Sequence, residues 1–247
     1  MLPADLIAAL DAVSATSRLL VTSDFDGTLA PIVNNPADAR ALPAAASALV
    51  ALAHAPNTAA ALVSGRARAV LSELSAMPSA VHLVGSHGAE FESGFVQTVD
   101  EALLARIIAT LNDIAAQYPG TAVEPKPASV ALHVRNASAT DGEAALAAVR
   151  AAAAGWDAEM TAGKAVLEFA VITTNKGSAI EALREQTAAT AVVFLGDDVT
   201  DEKAFARLRD GDVGVKVGAG PSAARYRVDS PADVAEVLAH LAARRTV

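Results

Sequence analysis

The sequence contains no cysteine, so the protein can form neither disulfide bonds nor thiolate metal sites. Positive charge is also scarce, because 19 basic residues stand against 28 acidic ones. The formal net charge of −9 argues against a general nucleic-acid-binding surface. An anionic substrate would therefore have to be attracted by local cations and not by the overall field of the protein.

Signals for membranes and secretion are missing as well. No uncharged apolar run approaches the length of a transmembrane helix. Residues 1–17 include Asp5 and Asp11 and have no basic stretch before an apolar one, unlike a signal peptide. We therefore expect a cytoplasmic protein that binds no membrane, and the sequence indicates no obligate protein partner.

Several common motifs are absent too. Residues 175–178 lack the glycine that precedes the lysine of a phosphate-binding loop, and residues 214–220 do not fit the dinucleotide fingerprint. Neither Ser64 nor Ser86 lies in a Gly-x-Ser-x-Gly elbow. The five histidines show no metal-ligand spacing.

The sequence does contain an apolar run that ends abruptly in two carboxylates. Residues 19–23 predict a buried strand, because the run is short, apolar and bounded by turn residues. Asp24 then lies at the carboxyl end of the strand, where open α/β sheets bind ligands, and Asp26 follows two residues later. Carboxylates this close repel each other unless a hard cation such as Mg²⁺ neutralises them. The alternative is a solvated surface turn.

The chain on either side of this stretch predicts a parallel sheet covered by helices. Further apolar strands are predicted at residues 59–63, 81–84, 191–195 and 213–217. Helices are predicted at residues 1–17, 43–54, 176–186, 200–208 and 231–243. A further predicted helix carries Val70, Leu71 and Leu74 and stops near Pro78. We assign residues 1–94 and 173–247 to this catalytic core.

Residues 95–172 follow a different pattern and predict an inserted α+β cap domain. Helices are predicted at 100–118 and 141–153, and strands at 121–124, 129–135, 157–160 and 165–171. The strands alternate apolar and polar residues, which indicates an antiparallel sheet covered on one side by helices. His133, Arg135, Lys164 and Glu168 fall on the polar face. That face is either an ordinary solvent face or a binding surface, whose mixture of acids and bases would suit a neutral polyol.

Polar groups stand at the predicted ends of the core elements. Ser64 and the pair Asp197 and Asp198 follow strands, and Lys176 opens a helix. Alone, each has an ordinary explanation: Ser64 could cap a helix, Lys176 could be solvated, and the two aspartates could form a turn. Their joint placement with Asp24 supplies the charges and donors that phosphoryl transfer requires.

Four short motifs resemble those of the haloacid dehalogenase superfamily of phosphatases: Asp-Phe-Asp-Gly-Thr at 24–28, Ser-Gly-Arg at 64–66, Lys176, and Gly-Asp-Asp at 196–198. Residues 85–90, 124–126, 129–135, 163–168 and 175–177 further resemble the trehalose-6-phosphate phosphatase family. The resemblance covers nearly everything from Leu19 onward. It implies a Rossmann-like core with a cap that sets substrate specificity. It also implies Mg²⁺-dependent hydrolysis of trehalose 6-phosphate to trehalose and phosphate.

The resemblance implies a role for each core residue. Asp24 would attack phosphorus and form an aspartyl-phosphate, and Asp26 would protonate the leaving oxygen and then activate water. Asp24, Asp197 and the backbone carbonyl of Asp26 would bind Mg²⁺. Ser64 and Lys176 would hold the phosphoryl oxygens.

Further residues are assigned by the same resemblance. Asp198 and Asp201 would act on the metal through waters or outer hydrogen bonds. Gly65 and Arg66 would join Ser64 in binding substrate. The distal glucose would be held by Glu124, Lys126, Arg135 and Glu168.

Two alternatives stay open. The substrate could be another sugar phosphate, such as sucrose 6-phosphate or a glycosyl-phosphoglycerate. The protein could also bind a sugar phosphate without catalysis. The pair Asp24 and Asp26 speaks against the second alternative, because binding alone needs no acid beside a nucleophile.

Overall fold

The computed structural model of the protein describes residues 2–245 and contains three sheets. Met1, where we expected the first helix to begin, lies outside the described residues, as do positions 246 and 247 at the end of the predicted core. The strands are β1 (Leu19–Ser23), β2 (Thr58–Val63), β3 (Val81–Val84), β4 (Glu90–Phe91), β5 (Gly94–Phe95), β6 (Ala122–Pro125), β7 (Ser129–His133), β8 (Glu159–Gly163), β9 (Val166–Ala170), β10 (Ala191–Gly196), β11 (Val213–Val217) and β12 (Tyr226–Val228). The helices are α1 (Ala4–Ser14), α2 (Pro43–His54), α3 (Arg68–Ser75), α4 (Glu101–Ala115), α5 (Ala139–Ala152), α6 (Lys176–Thr187), α7 (Glu202–Phe205) and α8 (Pro231–Arg245).

The chain forms two compact units. The first unit combines the described residues up to Gly94 with those from Thr174 onward, and the second unit is Phe95–Thr173. None of the helices in the described part of the chain has the length and apolar character needed to cross a lipid bilayer.

The first unit is built on a six-stranded parallel sheet in the order β12-β11-β10-β1-β2-β3. All residues of β1 and β10 are buried, as expected for central strands with helices on both faces. Because side chains alternate along a strand, Leu19 and Val21 pack with α1, α2 and α8, whereas Leu20 packs with α6 and α7. Two apolar layers therefore hold the strands in place.

The second unit is built on an antiparallel sheet in the order β6-β7-β9-β8. Its apolar face packs against α4 and α5 through a buried cluster that includes Ile107, Val149, Leu132 and Phe169. Trp156 meets the Phe169 ring edge-on at 5.0 Å. The predicted fold class, a parallel α/β core with an inserted α+β domain, is confirmed.

Helix starts follow the capping residues of the sequence. Pro43 is the first residue of α2, where its missing N–H costs nothing. Asp100 accepts a hydrogen bond from the Leu103 N–H at 2.9 Å, and Asn175 accepts one from the Ser178 N–H at 3.1 Å. The second of these caps fixes the start of α6, and therefore the position of Lys176.

The predicted helix at 200–208 is wrong in both bounds. A 3₁₀ turn at Val199–Asp201 precedes α7, and α7 ends at Phe205. The turn forms because the Asp198 side chain accepts from the Val199 N–H, while the Asp201 side chain accepts from the Asp198 N–H.

The hairpin of the second unit also differs in detail from the prediction. Gly163 pairs with Val166 inside the ladder, so the turn lies at Lys164 and Ala165, where Ala165 has a φ of +62°. Strands β4, β5 and β12 were not predicted, because two or three residues carry no readable periodicity.

A buried ion pair joins α6 to the start of β11. The Arg184 guanidinium contacts the Asp212 carboxylate, and these side chains are only 6% and 2% exposed. The same carboxylate accepts hydrogen bonds from the backbone N–H groups of Val192 and Arg209, each at 2.8 Å. Asp212 therefore holds together helix α6, the loop at Arg209 and the start of β10.

Replacing Asp212 with alanine should destabilise the protein strongly, because it leaves a buried guanidinium and two backbone donors without their acceptor. We expect the free energy of unfolding to fall by roughly 3–5 kcal/mol. Urea unfolding of Asp212→Ala and of the exposed neighbour Asp210→Ala measures this. The control should stay within about 0.5 kcal/mol of wild type, and equal effects of both changes would contradict the role of the pair.

Candidate active site

The carboxyl ends of three neighbouring strands gather polar side chains at one edge of the parallel sheet. Asp24 follows β1, Ser64 follows β2 and Asp197 follows β10. The ladder continues for one step beyond β1, since the Asp24 N–H donates to the Leu195 carbonyl at 2.9 Å. Parallel strands in register therefore place these groups together, although they are far apart in the sequence.

Lys176 and Asp24 form a buried ion pair at this edge. The Lys176 Nζ lies 2.8 Å from Asp24 Oδ1 and 2.8 Å from Asp201 Oδ1, and the lysine side chain is 2% exposed. The Phe25 N–H also donates to Asp24 Oδ1, at 2.7 Å. The Asp24 carboxylate is thus held by the first residue of α6 and by the backbone of the next residue in the chain.

The pKa values of this pair reflect burial and mutual charge. Burial raises the pKa of Asp24 well above its usual range; Lys176 opposes this shift and the Asp201 charge adds to it. Burial alone would lower the pKa of Lys176, but the charges of Asp24 and Asp201 outweigh it, so the pKa is raised. The lysine is therefore a fixed cation that compensates only part of the negative charge around it.

Three carboxylates form an acidic cluster that could bind a metal ion. Oxygen atoms of Asp24, Asp197 and Asp201 all lie within 4.8 Å of one another. Burial, and then the Asp201 charge, raises the pKa of Asp197 as well. An all-oxygen set of like charges matches the ligands that a hard divalent cation such as Mg²⁺ prefers, so the residues fit this ion.

Asp197 is immobilised from several sides. The Thr28 hydroxyl donates to Asp197 Oδ1 at 3.1 Å. Gly27 has a φ of +82°, and a Cβ atom built there would lie 2.1 Å from Asp197 Oδ2. The side chain can occupy this position only because residue 27 has no Cβ.

Asp201 and Asp198, both predicted to act on a metal indirectly, have different surroundings. Asp201 is fully buried, and its Oδ2 accepts from the N–H groups of Asp197 and Asp198, each at 2.9 Å. It lies in the acidic cluster itself. Asp198 is exposed, and its Oδ1 accepts from the Val199 N–H at 2.6 Å.

Asp26 is bound to Arg66 by two hydrogen bonds. The Arg66 Nε and Nη2 atoms each lie 2.6 Å from a different oxygen of Asp26. Nη2 also donates to the Pro36 carbonyl at 2.9 Å, and the guanidinium lies over the Phe25 ring at 5.9 Å from its centroid. Both oxygens of the predicted acid are therefore occupied in this conformation.

Ser64 and Gly65 lie beside a strained loop within residues 85–90, a stretch to which the sequence analysis assigned no role. Ser64 is buried, and its hydroxyl accepts from the Arg66 N–H at 3.2 Å. Ser86 and His87 are non-glycine residues with φ near +50°, and the His87 N–H donates to the Ser64 carbonyl at 2.9 Å. A Cβ at Gly65 would lie 2.4 Å from the His87 ring. Backbone strain of this kind is common beside functional sites.

Lys216 is a further residue that sequence reasoning missed. It lies on β11, is 4% exposed, and donates through Nζ to the backbone carbonyl of Asp197. The sequence feature that could have revealed it is a lysine inside the apolar stretch Val-Gly-Val-Lys-Val at 213–217, a predicted strand.

The predicted sugar-binding residues lie in the second unit, where three of them have partners on the polar face of its sheet. Glu168 accepts from Lys126 Nζ at 2.9 Å and from the Ser129 hydroxyl at 2.6 Å. Glu124 Oε2 lies 2.7 Å from His133 Nε2. The fourth, Arg135, is exposed and follows the end of β7.

Comparison with known proteins decides the family. The family model described as trehalose-phosphatase matches residues 22–232, which is most of the chain. The chain belongs to the trehalose-phosphatase family. The matched range contains every residue of the acidic cluster, together with Lys176, Asp26 and Arg66.

Individual members of the family are similar over different lengths. A trehalose-phosphate phosphatase of Mycobacterium avium (strain 104) is 37% identical over 240 residues, which cover 89% of this chain and 61% of that protein. A trehalose-6-phosphate phosphatase of Escherichia coli (strain K12) is 35% identical over 218 residues, covering 85% and 82%. The C-terminal domain of C. albicans trehalose-6-phosphate phosphatase has the same fold, with a TM-score of 0.82 over 98% of both chains at 24% identity.

Two glycine substitutions can separate the effect of a clash with Asp197 from the effect of backbone strain. Gly27→Ala and Gly218→Ala both place a side chain at positive φ, and this backbone strain alone should lower the free energy of unfolding of each by roughly 1–2 kcal/mol. A Cβ at Gly218 has no atom within 4 Å, whereas at Gly27 it meets Asp197. Only Gly27→Ala should weaken Mg²⁺ binding, by roughly tenfold or more, as measured by titration calorimetry. Equal Mg²⁺ affinity in the two variants would show that the position of Asp197 does not matter for the metal.

Proposed function

We propose that the protein is a Mg²⁺-dependent phosphatase that hydrolyses trehalose 6-phosphate to trehalose and phosphate. The observation that carries this proposal is the cluster of Asp24, Lys176, Asp197 and Asp201 at one edge of the parallel sheet of a trehalose-phosphatase family member. The activity is a proposal for this chain, because it spans only 61% of the length of its Mycobacterium avium relative.

The acidic cluster would hold the metal. Asp24, Asp197 and the Asp26 carbonyl are the proposed ligands. Asp201 and Asp198 would orient them, and Asp201 is placed to do so because it accepts from the Asp197 N–H. When bound, Mg²⁺ supplies positive charge that shields the phosphate dianion from the carboxylates.

The chemistry would proceed in two displacements at phosphorus. The Asp24 carboxylate forms a bond to phosphorus while the bond to the sugar oxygen breaks, and Asp26 gives that oxygen a proton. In the second step Asp26 removes a proton from water, the water oxygen attacks phosphorus, and the Asp24–phosphorus bond breaks. Ser64 and Lys176 would hold the phosphoryl oxygens in both steps. Phosphate would then be released.

Arg66 has to change partners in this scheme. It is a proposed substrate contact together with Gly65, yet both Asp26 oxygens accept hydrogen bonds from it. One oxygen of Asp26 must become free before a proton can pass between Asp26 and the leaving group. A phosphoryl group that draws the guanidinium toward itself would free that oxygen.

The polar face of the sheet in the second unit would recognise the distal glucose. Glu124 and Glu168 stand opposite Ala131 on adjacent strands, so their side chains share one face. Carboxylates there can accept from sugar hydroxyls, while Lys126 and Arg135 can donate. In this proposal the residues assigned to phosphoryl transfer lie in the first unit, and those assigned to the sugar lie in the second.

Turnover of a panel of sugar phosphates tests the proposal directly. Trehalose 6-phosphate should have a higher kcat/KM than sucrose 6-phosphate or glucose 6-phosphate, and EDTA should abolish turnover that Mg²⁺ then restores. Asp24→Asn should lower kcat by roughly 10⁴-fold or more, since it removes the attacking oxygen. The exposed Asp113→Asn is the matched control. A preference for sucrose 6-phosphate would overturn the substrate, and turnover by Asp24→Asn near wild type would overturn the mechanism.

Glu168→Ala should separate sugar recognition from chemistry. The change removes an acceptor and loosens Lys126, so kcat/KM for trehalose 6-phosphate should fall roughly ten- to a hundredfold. Hydrolysis of p-nitrophenyl phosphate, which has no distal sugar, should be almost unchanged. Glu143→Ala, an exposed change on α5, should affect neither substrate. Equal losses on both substrates would argue that Glu168 supports folding instead.

A further inference from the structure

The most unusual charge outside the predicted site is a lysine in a buried strand. All five residues of β11 are buried, and Lys216 is the one charged residue among them. A buried ammonium is costly unless nearby groups compensate its charge. The donation to the neutral carbonyl of Asp197 satisfies one hydrogen but leaves the charge itself to be explained.

The sheet places Lys216 on the same face as the acidic cluster. Lys216 is paired with Gly196 in the parallel ladder between β11 and β10, so both residues point to one side. A Cβ at Gly196 would lie 2.4 Å from the Asp201 carboxyl carbon, which shows that Asp201 covers this side. Lys216 therefore approaches the cluster from the neighbouring strand, on the side where Asp201 lies.

Lys216 also completes the fixation of Asp197. The Asp197 N–H is held by Asp201, its carboxylate is held by Thr28, and its carbonyl is held by Lys216. When all three carboxylates are ionised, the two ammonium groups of Lys176 and Lys216 leave a surplus of one negative charge. A divalent cation would reverse that sign and make the site receptive to a dianion.

We propose that Lys216 is a positioning residue that sets the charge balance of the phosphoryl site. Its fixed positive charge opposes metal binding and favours binding of the phosphate dianion, so that the metal-loaded site stays able to receive an anion. This inference rests on the proposed function. It assigns Lys216 no contact with substrate, because the lysine acts through Asp197 and through its field.

The charge predicts effects of opposite sign on two ligands. In Lys216→Met, the dissociation constant for Mg²⁺ should fall and that for inorganic phosphate at saturating Mg²⁺ should rise, each by about tenfold. Titration calorimetry on the full chain measures Mg²⁺ binding, and competitive inhibition of turnover measures phosphate binding. Structural damage would weaken both ligands together, so the opposite signs are the signature of charge.

Further variants keep the test decisive. Lys216→Gln retains a donor for the Asp197 carbonyl without the charge, and it should behave like Lys216→Met. Lys216→Arg should return both constants toward wild type. Val215→Ala, a buried change on the other face of β11, should lower Tm and change neither constant. Weakening of both ligands, or a change in neither, would overturn the proposal.

The wild-type protein separates the two proposals. If it hydrolyses trehalose 6-phosphate while the Lys216 variants bind both ions as wild type does, only the role of Lys216 is overturned. If the wild-type protein binds neither Mg²⁺ nor phosphate, the proposed function and the role of Lys216 both fail.

Discussion

The ammonium of Lys176, held between Asp24 and Asp201, is the interaction on which the rest of the site depends. Charges this deeply buried are tolerated only when they are paired in good geometry. The pairing requires that the first turn of α6 reach the ends of β1 and β10. Gly88 makes this possible, since a Cβ there would lie 2.6 Å from the carbonyl of Asn175, the residue that caps α6.

The same carboxylates explain which neighbours must be glycine. Gly27 faces the Asp197 carboxylate, and Gly196 faces that of Asp201. At each of these positions a side chain would collide with the carboxylate. At Gly27 that carboxylate belongs to the other motif, so Asp197 requires a glycine at residue 27. The motifs at 24–28 and 196–198 are therefore one steric unit, although each looks like an independent turn in the sequence.

Sequence patterns predicted the elements whose signal is local. The buried run of β1 and the proline start of α2 were predicted to the residue, because each depends on only a few neighbours. The turn at 199–201 folds the Asp201 side chain inward, beside Asp24 and Asp197, which no local pattern foretold. The indirect action of Asp201 on a metal stays a prediction. The contacts of Lys216 and the pair of Arg66 with Asp26 depend on strand order and loop packing, which no local pattern encodes. The roles of these residues in catalysis stay predictions.

The proposed function places opposite demands on the carboxylates of the two units. In the first unit, carboxylates are buried with too few cations, an arrangement that suits a metal and a phosphate. In the second unit, Glu168 is already satisfied by Lys126 and Ser129, and Glu124 by His133. If this face binds a neutral sugar as proposed, the sugar must replace existing hydrogen bonds with equivalent ones, and a ligand that lacks the matching hydroxyls would leave these groups unsatisfied. In the proposed function, discrimination between sugars would then come from the second unit, because the charge-rich edge of the first unit is assigned to the phosphoryl group.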